Sequence, residues 1–294
     1  MAAKVTKSLD EKRGLGDWLM FNAVKRIAGS APIWAWIVMV VCAVVLVVGL
    51  IVSSNRTAPT SDTASQMAPT SSTPLEQPAT LAFIEDAKAH SAEPRTIVLL
   101  GDSTGAARDG WAPKVGSAIS QTLQRPMATK FWNTTTNDYG AMVGLGDGPN
   151  GPIGFWNASA SGKDANYALE NLGKMIPADV TPDLIMLNFG HTQDAETPLA
   201  EQLQPLIAQL RKQYPNADLV AIKQSPAQGK NTGERTAGFA SAMDAEGIQV
   251  IDVYSAFPTD DAALAPLLKD TVNPSAAGQQ IWTTTVLKAF EVQA

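Results

Sequence analysis

The strongest chemical signal in the chain is Gly101-Asp102-Ser103-Thr104-Gly105, where the apolar run Thr96 to Leu100 breaks into a Gly-Asp-Ser turn. A turn of this kind puts the Ser103 hydroxyl at the end of a strand, and the helix start that follows offers backbone N–H groups to a developing oxyanion. The chemistry this suits is nucleophilic attack on an acyl carbonyl. A serine hydroxyl needs a proton acceptor for that task. The chain has two histidines, and His90 precedes the strand, which leaves His191 as the histidine placed at the same edge. The single cysteine, Cys42, cannot form an internal disulfide or a cysteine-based zinc site. Asp147-Gly148-Pro149-Asn150-Gly151 has ligands too sparse for a calcium loop and reads as successive turns.

The elements that must position these groups follow from residue 80 onward. Short β-branched or apolar runs predict strands at Thr96 to Leu100, Thr129 to Trp132, Ile153 to Trp156, Asp183 to Phe189, Asp218 to Lys223 and Gln249 to Val253. Helical spacing predicts helices at Ala112 to Leu123, Lys163 to Met175, Pro198 to Gln213, Thr232 to Glu246 and Ser275 to Phe290. Such alternation implies an α/β fold, a parallel sheet covered on both faces, with functional residues at the strands' C-terminal ends. The Gly-rich stretch from Asn133 to Gly154 is long for a connection and reads as a lid or substrate loop. Trp111, Trp132 and Trp156 fall near the active edge, where they either stack on sugar rings or pack in the core, and Trp282 reads as core.

The Ser103 turn itself admits three readings. Its Gly-x-Ser-x-Gly pattern matches the nucleophile elbow of α/β-hydrolases, but that elbow belongs deeper in the sheet and needs a late histidine. Ser103-Thr104-Gly105 is also similar to the phosphate loop of flavodoxins, and a plain capped β-to-α turn is the third. Two more segments bear on the choice: Phe155-Trp156-Asn157-Ala158-Ser159-Ala160-Ser161-Gly162 after the third strand, and Asp270-Thr271-Val272-Asn273-Pro274-Ser275 before the last helix. Taken in order with Gly101-Asp102-Ser103, they resemble the SGNH hydrolase (GDSL esterase/lipase) superfamily over about residues 95 to 290.

The resemblance implies a flavodoxin-like three-layer α/β/α sandwich and an esterase, lipase or O-acyl (acetyl) transferase that needs no cofactor. By position, Ser103 would be the nucleophile, its own N–H and that of Gly162 would serve the oxyanion hole, and Asp270 would orient the base. Asn188-Phe189-Gly190-His191-Thr192-Gln193 resembles the block that some relatives write Gly-His-Asn. Two positions depart from the family. Thr192 stands at the oxyanion asparagine, and Asn273 stands at the catalytic histidine. An amide cannot take the serine proton at neutral pH, so His191 would have to act as base, with Thr192 or Gln193 donating into the hole. The alternative is a degenerate fold that binds a glycan or protein without turnover.

The 294 residues carry a net charge of −6 unevenly. Residues 1–32 hold six cations against three acids, leaving −9 on the remainder, an electrostatic profile that argues against a nucleic-acid partner. Residues 33–52 are uncharged and apolar, long enough at 1.5 Å per residue to cross roughly 30 Å of hydrocarbon. The basic flank before this run predicts a signal-anchor with a cytoplasmic N-terminus, possessing amphipathic spacing at Leu15, Trp18, Leu19, Ala23 and Ile27. Residues 53–78, rich in Ser, Thr and Pro, predict a flexible tether, and residues 79–294 an extracytoplasmic domain. The expected partners are the membrane and an acylated glycan or lipid of the cell envelope.

Overall fold

The computed structural model describes residues 77–230 and 232–293; the expected anchor and tether fall outside them, apart from Gln77 and Pro78. No helix among the described residues is long and apolar enough to cross a membrane. Eight strands form one sheet: β1 (Arg95–Gly101), β2 (Met127–Asn133), β3 (Asp138–Tyr139), β4 (Val143–Gly146), β5 (Ile153–Ser159), β6 (Leu184–Asn188), β7 (Asp218–Lys223) and β8 (Gln249–Asp252). Their order is β3-β2-β5-β1-β6-β7-β8, with β4 also paired to β2. All pairings among β2, β5, β1, β6, β7 and β8 are parallel. The chain leaves β1 for one side of the sheet and later returns to fill the other, which makes the C-terminal end of β1 the place where the winding reverses. Crevices form at that point in open α/β sheets.

The parity of each strand sorts its side chains onto two cores. Ile97, Leu99, Ile153 and Phe155 meet helices α1 (Ala79–Ala89), α2 (Trp111–Leu123) and, later in the chain, α9 (Ala276–Ala289). Val98, Leu100, Ile185 and Leu187 face the opposite layer, which includes α3 (Ala165–Glu170), α4 (Leu172–Met175), α5 (Leu199–Gln213) and α7 (Phe239–Ala245). Two shorter helices, α6 (Thr232–Arg235) and α8 (Asp261–Leu264), complete the set. Helix α1 is an addition to the expected elements: Phe83, Ile84 and Ala87 are buried at helical spacing behind Pro78, but small residues fill most of the rest.

Several expectations need correction. The stretch from Asn133 to Gly154 is no simple loop, because Trp132 pairs with Tyr139, Thr129 with Val143 and Ala128 with Gly144 in antiparallel register. Glycines at 140, 144 and 146 hide this strand from a propensity reading, and backbone pairing to β2 supplies what the side chains do not. The helix expected over Lys163 to Met175 is two short ones, and that over Thr232 to Glu246 breaks at Gly238, whose φ is +70°. Trp111, Trp132 and Trp282 are all buried.

The edge hairpin is locked by Tyr139, whose ring meets Trp132 and Trp156 edge-on and whose hydroxyl donates to the Met175 carbonyl at 2.6 Å. Burial pushes this phenol far above its ordinary pKa, so it remains a donor throughout the working range. Tyr139→Phe leaves the ring packing intact and removes one buried bond. Urea denaturation is expected to show a loss of about 1–2 kcal/mol, reflecting the orphaned carbonyl.

Candidate active site

The end of β1 delivers Asp102 into a fully buried position and Ser103 into a partly exposed one. The Asp102 carboxylate organises the turn. Its Oδ1 accepts from Thr104 N–H at 3.0 Å and from the Thr104 hydroxyl at 2.8 Å, while Oδ2 lies 3.4 Å from the His191 N–H. One acidic side chain thus fastens both the Ser103 turn and the turn that bears His191. Gly105 lets this turn lie against β5, since a Cβ there would fall 2.4 Å from Ser159 Oγ. The Ser103 hydroxyl makes no bond to another described group, and neither does its N–H.

Gln224, just past β7, joins these pieces, and no motif announced it. Its Oε1 accepts from His191 N–H at 3.0 Å. Its Nε2 lies 3.0 Å from each of Asp102 Oδ1, Thr104 Oγ1, Asn188 O and Asn188 Oδ1. Asn188 Nδ2 in turn donates to Thr104 Oγ1 at 3.0 Å, which satisfies the threonine hydroxyl completely. Gly190 is required beside it, because a Cβ there would stand 2.6 Å from Gln224 Oε1.

Gly162 follows β5 in a turn closed by Lys163 N–H to Ala160 O at 3.1 Å, and its φ of +70° explains the glycine. The Gly162 N–H is unused by other described groups, as is that of Ser103, so both amides expected to serve an oxyanion are available. The Thr192 hydroxyl is engaged differently from the expectation. It donates to the Lys163 carbonyl at 2.8 Å, pinning the Gly162 turn instead of presenting its hydrogen to a substrate. Lys163 also lies over the Tyr167 ring at 5.1 Å, and the Tyr167 hydroxyl donates to Asn137 at 2.6 Å while accepting from Trp132 Nε1 at 3.1 Å.

Asp270 and Asn273 meet directly. Asp270 Oδ1 accepts from the N–H groups of Val272 and Asn273 at 2.9 and 2.7 Å, and Oδ2 accepts from Asn273 Nδ2 at 2.9 Å. Their turn is tied to the site by Gln228 N–H donating to Thr271 O at 2.9 Å, four residues beyond Gln224. The helix that follows, α9, reaches the nucleophile turn through Trp111. That residue accepts no substrate: its N–H donates to Gln279 Oε1 at 2.7 Å, its Nε1 donates to Thr104 O at 3.0 Å, and its ring stacks on Trp282 at 5.2 Å.

Burial pushes the Asp270 carboxyl up, but the two backbone donors, the Asn273 amide and the Lys269 charge outweigh it and leave it below the ordinary carboxylate range. With the folded value depressed, the turn gains stability above the pKa of free aspartate and loses it as pH falls through the folded value. The amide resonances of Val272 and Asn273 are therefore expected to titrate together by NMR, with a midpoint below that of a free aspartate.

With this geometry in place, comparison with known proteins is informative. The family model for GDSL-like lipase/acylhydrolase matches residues 97–285. This chain belongs to that family. No curated protein sequence matches it. Among solved structures, a peptidoglycan O-acetylesterase superposes with a TM-score of 0.54 at 11% identity, covering 73% of this chain and 95% of that one. A two-domain esterase active on acetylated mannans, co-crystallised with mannopentaose, gives 0.53 at 12% identity and 72% coverage of this chain. The GDSL-family chain spans about half of that two-domain protein, 52% of its length. A protein from Parabacteroides merdae described as a GDSL-like lipase gives 0.50 at 14% identity, covering 68% and 97% of the two chains. At such identities the likeness shows the shared SGNH-type fold.

Proposed function

We propose that the domain is a serine ester hydrolase or O-acyl (acetyl) transferase acting on acylated glycans or lipids of a cell envelope. In this reading residues 33–52 anchor it as a single-pass protein, with the N-terminus cytoplasmic and the domain held outside by the tether of residues 53–78. Ser103 attacks the acyl carbonyl, the Ser103 and Gly162 N–H groups receive the oxyanion, and the His191 imidazole takes the proton. The supporting observation is the Asp102 clamp, which holds the main chain of His191 and the nucleophile turn on one carboxylate. The acetylated glycans named for two structural neighbours favour a glycan acceptor.

A second reading is favoured by a specific contact. Asn273 Nδ2 donates to Asp270 where a histidine would otherwise stand, and the domain then binds a glycan or a protein without turnover. The two readings separate on the full chain. Fluorophosphonate labelling that disappears in Ser103→Ala, together with p-nitrophenyl acetate hydrolysis that drops about 100-fold in His191→Ala, supports the enzyme. Absence of labelling and of turnover in the native chain supports the binding module.

A further inference from the structure

A groove of about 570 Å³ lies between α2, α9 and β4 and belongs to none of the groups assigned above. Its head is Arg108 and Asp109, five and six residues after Ser103, together with Gln280 in the first turns of α9. Gln280 adjoins Gln279, which holds Trp111 N–H, and Trp111 holds Thr104 O, so a chain of contacts through Trp111 links the head to the Ser103 turn. From there the groove follows the outer face of α2 past Lys114 to Gln121, roughly 15 Å at 1.5 Å per residue. The edge strand β4 forms one wall and α9 the other.

The chemistry of the lining selects among occupants. Arg108 and Lys114 are exposed, and no carboxylate among the described residues lies within ion-pair distance of either. The Arg108 guanidinium is held over the Phe131 ring, 5.0 Å from its centroid, which fixes its position without neutralising it. Against the single carboxylate of Asp109 these two cations leave the lining net positive in a domain whose residues 79–294 carry −8, and a net positive groove favours an anionic ligand. The groove is a surface groove and not an enclosed cavity, so an acyl tail lying in it stays partly in water. Its mixture of apolar walls and the amides of Gln121 and Gln280 suits the C–H faces and hydroxyls of sugar rings.

We propose that this groove binds a carboxylate-bearing glycan chain, with Arg108 and Lys114 pairing with its acid groups and leading its acylated residue to Ser103. The inference rests on the reading of Ser103 as the acyl-accepting group, but its test does not. Tetragalacturonate and the neutral cellotetraose are titrated into the full chain by calorimetry, beside the variant Arg108→Glu/Lys114→Glu and the conservative Arg108→Lys. Tetragalacturonate is expected to bind in preference to cellotetraose, with an affinity that falls on adding salt. The double variant is expected to lose tenfold or more, at about that order, while Arg108→Lys retains most of the binding. An unchanged melting temperature shows that the double variant is folded. Equal binding of both sugars, binding of neither, an unaltered affinity in the double variant, or displacement of tetragalacturonate by palmitate each overturns the proposal. Fluorophosphonate labelling of Ser103 in the same preparation is scored separately. Labelling without tetragalacturonate binding removes the groove and keeps the nucleophile, and binding without labelling does the reverse.

Discussion

Asn273→His is expected to raise ester hydrolysis about 10²- to 10⁴-fold, the span that a well-placed general base contributes, where the native domain is the binding module without a base, and to leave the rate nearly unchanged where His191 already takes the proton. The geometry for the exchange is already present. Asn273 Nδ2 donates to Asp270 Oδ2 at 2.9 Å, and an imidazole at this position can make the same bond through Nδ1–H, leaving Nε2 to accept a proton. Asp270 is prepared for that partner, because its depressed pKa keeps it charged wherever a histidine titrates. The rate of the variant should therefore rise with pH as the imidazole loses its proton and then level off, measured with p-nitrophenyl acetate across neutral pH. A variant rate equal to that of an active native chain leaves the proton with His191. Adding Thr192→Asn supplies a side-chain donor where the hydroxyl is now held by Lys163 O, and a further gain of roughly 10²-fold is expected if the oxyanion is reached.

Gln224→Leu is expected to cost about 3–5 kcal/mol in urea denaturation and to slow fluorophosphonate labelling of Ser103 by tenfold or more. The replacement is close in volume, so little of the loss is packing. What disappears is the group that receives His191 N–H and that gives its own hydrogens to Asp102, Thr104 and Asn188. Several buried polar atoms lose a partner together, and their costs do not add independently. Gln224→Glu separates the two effects: it keeps the acceptor for His191 N–H and places a second negative charge beside Asp102. A labelling rate that follows stability alone across both variants limits Gln224 to a structural role.

The sheet was legible because its six parallel strands are short apolar runs, and a buried parallel strand needs little else to declare itself. Position along the chain puts Ser103, Gly162 and His191 just past the C-terminal ends of β1, β5 and β6, and Asp270 in the turn leading to α9. What the sequence withheld depends on partners distant in the chain. Gln224 is an ordinary amide until β7 sets it beside β1 and β6. Thr192 carries a usable hydroxyl until the fold brings Lys163 O to it. The edge strand at 143–146 has glycine at every second position, so its character comes wholly from pairing with β2. Helix α1 lacks a strong apolar stripe because alanine and threonine suffice against the neighbouring layer.

The stacking of Trp111 on Trp282 gives the chain a timetable. Synthesis proceeds from the N-terminus, and every strand from β1 to β8 emerges before residue 276. The Ser103 turn is held by the Trp111 indole, yet the Trp282 ring that stacks on that indole comes only with α9. A nascent chain can thus lay down the strands from β1 to β8 while the Ser103 turn waits unbuttressed until α9 has emerged.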